Sequence, residues 1–138
     1  MSGVSQFGVA KVLLDRLNTI ESGSLPVVPQ GGTDAPTDGA QYLREYVLPA
    51  GDFPQDLKTG TRQNGVYQVD VLTPKDQGKA PNLFLVDQVK ALFVQSEVLT
   101  DSGTGQAVKI RWIDTSSMRE EGSYWVSSVS VNYLAFGN

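Results

Sequence analysis

Between Gly65 and Gly78 the chain reads Gly-Val-Tyr-Gln-Val-Asp-Val-Leu-Thr-Pro-Lys-Asp-Gln-Gly, with Tyr67, Val69 and Val71 alternating with Gln68 and Asp70. A period of two places the apolar set on one face of a strand and the polar set on the other, so the segment predicts a half-buried strand. Gly65 sits where the chain would turn in. Pro74 cannot donate to a ladder and Gly78 tolerates positive φ, so the strand ends there. The pattern then becomes helical: Leu85, Val86, Val89, Leu92 and Phe93 form one stripe over 80–93, and Pro81 suits a first turn.

The same reading extends outward from this centre. Phe7, Ala10, Leu13, Leu17 and Ile20 recur at spacings of three and four, predicting an amphipathic helix over 5–20. Ser2 or Ser5 would cap its start, and Ser22-Gly23-Ser24 would end it. Leu25 to Pro29 is at most a short edge strand because of its two prolines, and Gln30 to Gly39 has loop composition. Gln41 to Pro49 predicts a strand that pairs with 66–73 in a long hairpin. The connection Ala50 to Asn64 holds Gly51, Pro54 and Gly60 without clear periodicity and reads as a long polar loop, a candidate partner-contacting arm. Mobile segments are thus expected at about 29–40 and 50–64.

Downstream, Glu97 to Thr100 and Gln106 to Ile113 flank Asp101-Ser102-Gly103-Thr104-Gly105, which predicts a second hairpin. Asp114 to Gly122 reads as a charged loop. Ser123 to Phe136 reads as a long last strand, in which Tyr124 and Val126 have one parity and Val129, Val131 and Tyr133 the other. A β-bulge at Ser127-Ser128 would reconcile them. With two helices and several hairpins, the expected fold is α+β: a twisted, mainly antiparallel or mixed sheet with both helices on one face, in a single domain over 1–138.

Composition narrows the chemistry. The 138 residues contain no cysteine and no histidine, which removes disulfides, thiolate nucleophiles, imidazole bases and the usual zinc ligands. Eleven basic and fifteen acidic residues give a net charge of −4 with no basic tract, so free nucleic acid is not an expected ligand. No apolar run approaches membrane-spanning length, and the first residues carry no secretory pattern. No catalytic, cofactor or metal site is expected.

Three short motifs imitate enzymes. Lys58-Thr59-Gly60 matches a triad of penicillin-recognising serine enzymes, but the chain lacks the accompanying Ser-x-x-Lys. Asp56 to Thr61 approximates the phosphorylated aspartate motif of ion pumps with Leu57 inserted. Asp101-Ser-Gly-Thr resembles the catalytic loop of aspartic proteases, in which two carboxylates share a proton, and would fit a homodimeric enzyme using Asp101. The companion Gly-Arg-Asp or Gly-Arg-Asn segment is missing, and hairpin turns favour the same residues on geometric grounds.

The polar faces collect Gln68 and Asp70 on one strand, Lys109 and Arg111 on another, and Ser128, Ser130 and Asn132 on the last. One side of the sheet should therefore be wet, either as ordinary solvent-facing surface or as the lining of a pore or partner contact. In the order helix, irregular segment, strand, polar loop, then Arg62-x-x-Gly65-x-Tyr67-Gln68-Val69-x-Val71-x-x-Pro74-x-x-x-Gly78, a helix ending in Phe93 and a closing strand with Val129-x-Val131-x-Tyr133, the chain resembles the tail terminator family of long-tailed, siphophage-type bacteriophages. The resemblance implies a catalysis-free virion protein, assembled in the host cytoplasm. Such a protein forms a homo-hexameric ring on the major tail tube protein, stops tube growth and presents its other face to a head-completion or connector protein. Another head-tail joining or minor tail protein would share these features. Candidate contact residues are Asp52, Asp56, Lys58 and Arg62 in the arm, with Gln68, Asp70, Lys109 and Arg111 on the polar face.

Overall fold

A computed structural model describes residues 4–20, 25–28, 40–56 and 60–136. Among the described residues two helices and seven strands form an α+β fold. Helix α1 (Gln6–Leu17) starts where the Ser5 hydroxyl accepts the Gly8 N–H at 3.0 Å, as a capping serine should. The expected Ser22-Gly23-Ser24 stop lies outside the described residues. Phe7, expected on the buried stripe, is 69% exposed, and Val9, Val12, Leu13 and Leu17 carry the burial instead.

The strands are β1 (Val27–Val28), β2 (Tyr42–Asp56), β3 (Gly60–Pro74), β4 (Val98–Thr100), β5 (Ala107–Thr115), β6 (Arg119–Glu121) and β7 (Tyr124–Phe136), with helix α2 (Ala80–Leu92) between β3 and β4. The sheet order is β1-β2-β3-β7-β5-β4, and β6 also pairs with β7. All neighbours are antiparallel except β1 and β2, so the sheet is mixed. Both helices lie on one face. Val9, Leu13 and Leu17 of α1 and Leu85, Val86 and Val89 of α2 share one core with Tyr67, Val69 and Val71 of β3 and Val129, Val131 and Tyr133 of β7. Pro74 is followed by a single 3₁₀ turn, Lys75–Gln77, closed by Gly78 at φ 78°.

Four local expectations are corrected. Residues 50–56 and 60–64 are strand rather than loop, because β2 and β3 stay paired from Tyr42↔Leu72 to Asp56↔Gly60. Register shifts between Pro49 and Asp52 and between Pro54 and Asp56 break the alternation that would have revealed them. Gly65 lies within β3, opposite Tyr133, and a Cβ there would overlap the Tyr133 ring. The predicted bulge at Ser127-Ser128 is absent: β3 and β7 pair without interruption from Arg62↔Phe136 to Pro74↔Tyr124. The change of apolar parity has another cause, since Val126 joins Tyr42 and Leu72 in a second small core on the sheet's other face, with Tyr124 packed against it. Lastly, the charged segment 114–122 is mostly strand, belonging to β5 and β6.

Ser127 remains on the helix-facing side because a partner waits there. Asn82 of α2, fully buried, donates to the carbonyls of Val71 and Trp125 at 3.0 Å each and accepts the Ser127 hydroxyl at 2.6 Å. One amide thus fastens α2 to both central strands. At the opposite corner Gln106 accepts the Ser5 N–H at 2.8 Å and donates to the carbonyls of Ala107 and Phe136 at 2.8 Å each, joining the start of α1 to β5 and to the end of β7.

Candidate functional site

Even-numbered residues of β3 point away from the helices, and on this outer face the surface changes character along the strand. At the Pro74 end it is dry: Tyr42, Leu72 and Val126 are buried, and the rings of Tyr42 and Tyr124 meet edge to face at 5.6 Å. The wet side expected from the sequence is therefore wet only in part.

In the middle sits Asp70, only 2% exposed. Its Oδ1 accepts from Ser128 Oγ at 2.6 Å and Gln68 Nε2 at 3.0 Å, and its Oδ2 accepts from Arg44 Nη2 at 3.0 Å. Arg44 also reaches Glu121 of β6 at 2.9 Å, and Arg119 donates to Ser128 Oγ at 3.1 Å. The carboxylate is fully used inside the subunit. Gln68 and Asp70, expected as contact residues, form a brace that ties β2 and β6 to the sheet centre.

At the Arg62 end the face becomes basic. Register places Arg62 against Phe136 of β7, Leu134 against Lys109 of β5, and the neighbouring Asn64 within reach of Arg111. A β5 bulge between Ile110 and Trp112 breaks register with β7 beside Arg111. Arg111 Nη1 donates to Asn64 Oδ1 at 3.3 Å and its guanidinium lies 5.4 Å from the Trp112 ring centroid, while that of Arg62 lies 5.3 Å from the ring of Phe136. Arg62, Lys109, Arg111, Trp112 and Leu134 line a depression of about 450 Å³ with no acidic residue in its wall among the described residues, and Trp112 is 46% exposed. Three of the expected contact residues, Arg62, Lys109 and Arg111, are thus brought together. Trp112 was missed, because its alternation with Ile110 marks it as core until the bulge turns it outward.

Asp52 and Asp56 lie on the hairpin beside and beyond this basic end, at register positions opposite Gln63 and Gly60. Lys58 lies outside the described residues, as does the Lys58-Thr59 part of the enzyme-like motifs.

Asp101 is placed as a turn-former. Its Oδ2 accepts from the Thr104 hydroxyl at 2.7 Å and the Thr104 N–H at 2.9 Å, and Lys11 Nζ stands 3.6 Å from Oδ1. The Thr104 hydroxyl first, then its N–H, hold the carboxyl below the usual carboxylate range, and Lys11 adds to the effect. A carboxylate so committed is a poor candidate to share a proton with another.

Residues 8–133 match a family model described as "Phage tail terminator protein". One solved structure is 26% identical, covers 96% of each chain and superposes with a TM-score of 0.76. Another, from the virion of a native gene transfer agent (GTA) particle, is 12% identical with a TM-score of 0.67, covers 94% of this chain and 96% of its own, and shows a shared fold. No curated protein matches the chain.

Proposed function

Given that the chain belongs to the phage tail terminator family, we propose that it closes as a homo-hexameric ring on the end of the tail tube, halts addition of the major tail tube protein and offers its free ring face to a head-completion or connector protein. The observation that carries this reading is the family match over nearly the whole described fold, 8–133. The likeness of fold to a chain of a gene transfer agent virion is consistent with a place in a particle.

The geometry supports a structural part in assembly. The outer face couples an internally satisfied brace at Asp70 to a basic depression at Arg62, Lys109 and Arg111, which suits a contact surface more than a reaction centre. A closed ring needs heterologous contacts, in which one patch of each subunit meets a different patch of the next, and each must bury roughly 1,000 Å² to be specific. The subunit must also stay dispersed until a tube end is ready, which favours contacts that the tube completes.

The test is the solution mass at low and high concentration, with negative-stain images after mixing with tail tubes assembled without this protein. Six-membered rings, or density on one end of tubes that stop growing, would support the reading. A compact dimer indifferent to tubes would refute it.

A further inference from the structure

β4 ends the strand order, and its far edge has no strand beside it among the described residues. Register shows which of its backbone groups face that edge. The Glu97 carbonyl accepts the Ile110 N–H at 2.9 Å and the Asp101 N–H donates to the Gln106 carbonyl at 2.9 Å, so the odd-numbered residues turn their polar backbone groups to β5. In an antiparallel ladder the residues between them turn theirs the other way. The N–H and C=O of Val98 and Thr100 therefore point away from β5, along the free edge. Such edges are commonly blunted by a charged side chain or a proline. Val98-Leu99-Thr100 carries neither, and Val98 is 51% exposed.

This edge borders a groove of about 340 Å³, lined by Val12, Asp15, Arg16 and Thr19 of α1 and by residues 98–102. The four α1 residues share one helix face. Leu99 is buried toward the helices, whereas Val98 and Thr100 are exposed on the opposite face of the strand. A space that touches all three runs along the strand edge and not over either face. Val12 and Leu99, both buried, give it an apolar floor. A free strand edge facing a helix across a groove can accept an added strand: the incoming backbone extends the ladder and its alternate side chains fill the pocket.

The rim is acidic. Arg16 is taken up by Glu97, in hydrogen bonds of 3.2 and 3.0 Å, and by the Leu92 carbonyl at 3.0 Å. Among the described residues Lys11 stands against two carboxylates, Asp15 at 2.8 Å and Asp101 at 3.6 Å. Asp101 is buried and held by Thr104, but the Asp15 side chain is 59% exposed and open to an occupant. We infer that the α1–β4 groove binds an extended, basic segment of a partner protein, which adds a strand to β4, seats an apolar side chain over Val12 and Leu99 and sets a lysine or arginine beside Asp15. Bonds to the backbone of Val98 and Thr100 supply affinity, and Asp15 selects basic segments over acidic ones. A net charge of −4 makes a second copy of this chain the poorer match. The contact does not depend on ring closure.

The test probes an array of random heptapeptides with the full chain and measures the retained peptides in solution by fluorescence polarisation. They should alternate apolar and polar residues and carry lysine or arginine, and glutamate in place of the basic residue should weaken binding about fivefold. Thr100→Pro deletes an outward N–H and leaves the β4–β5 ladder intact, so it should weaken the same peptides about tenfold. Circular dichroism and the urea midpoint establish that this variant is folded, and N-methylation of alternate peptide amides makes the same test on unaltered protein. Asp15→Lys should turn the preference toward acidic peptides. In amide exchange, bound peptide should slow the Val98 and Thr100 N–H groups and leave that of Leu99 unchanged. No retained peptide, binding that survives both Thr100→Pro and N-methylation, or a wild-type preference for acidic peptides would overturn the inference. Slowing of the same two amides that grows with protein concentration, without peptide, would assign the edge to a second copy and overturn it equally.

Discussion

Replacing Asn82 by alanine removes the side chain whose hydrogen bonds fasten α2 to β3 and β7 together. Three hydrogen bonds are lost, two donated to strand carbonyls at 3.0 Å and one accepted from Ser127 at 2.6 Å, all around a residue with no solvent exposure. At about 1 kcal/mol net each, and with the Ser127 hydroxyl left buried and unpaired, the expected loss is about 3 kcal/mol. That is a large share of the roughly 5–15 kcal/mol that holds a domain of this kind together. With an m-value near 2 kcal/mol/M the urea midpoint should fall by about 1.5 M, and Tm by roughly 10 °C. Ser127→Ala alone should cost about 1 kcal/mol. Because both changes break the same contact, the double variant should lose less than the sum of the two, with a coupling of about 1 kcal/mol. Urea titrations of the four proteins, followed by far-ultraviolet circular dichroism, give all terms of the cycle. An Asn82→Ala loss below about 1 kcal/mol, or strict additivity with Ser127→Ala, would show that the clamp carries no weight and that α2 is held by its apolar stripe alone.

Other outcomes follow from the same geometry. Gly65→Ala drives a methyl group into the Tyr133 ring and should cost about 1–3 kcal/mol, read as a lowered urea midpoint, whereas Gly103→Ala, with only the Asp101 carboxylate nearby at 3.6 Å, should be nearly silent. Asp70→Ala strips the buried acceptor from Arg44, Gln68 and Ser128 and should destabilise by about 2–4 kcal/mol, discounted because Arg44 keeps Glu121 and is partly exposed. Asp101 has a lowered pKa, so its contribution is present above the unfolded carboxylate value near pH 4 and fades as pH falls through its folded value; Asp101→Ala should flatten the acid limb of a stability-against-pH curve. Burial pushes the Tyr133 phenol up to about 12, and it raises Tyr67 as well. For these acids the stabilising contribution is complete below the unfolded value near pH 10 and is lost as pH climbs through the folded one, so both phenols should stay protonated in an absorbance titration to about pH 10.5 and ionise as the fold is lost.

The parts of this fold that announce themselves in the sequence are those with an unbroken period. Tyr67-x-Val69-x-Val71 and the stripe Leu85, Val86, Val89 and Phe93 are all buried as their spacing requires. The hairpin beyond Pro49 was hidden because two register shifts, near Gly51 and Pro54, each displace the alternation by a residue. The parity change in β7 was visible but misread: a strand with helices on one face and a second apolar cluster on the other needs no bulge, and only the pairing of Ser127 with Asn82 explains a serine among core residues. For the basic depression, residue type was legible and proximity was not. Lys109 and Arg111 advertise a polar face by alternation, but their meeting with Arg62 depends on β7 standing between β3 and β5, a long-range pairing that no local pattern encodes. Asp70 shows the converse, a charged residue on the expected face that the sheet withdraws for its own use.

That position of β7 has a consequence for how the protein is made. It follows every other strand in sequence yet lies between β3 and β5, with β6 also on its flank. While the ribosome is still synthesising the strands before it, the two halves of the sheet have nothing to join them, and the first hairpin and the α2 region wait with their inner edges open. Folding is therefore deferred until the last strand emerges, and the pairing it must then make is largely non-local, which slows it. A chain cut short before Tyr124 lacks the seam, and so cannot complete the sheet. The order of strands acts as a check on completeness: only a chain that includes 124–136 can close the sheet.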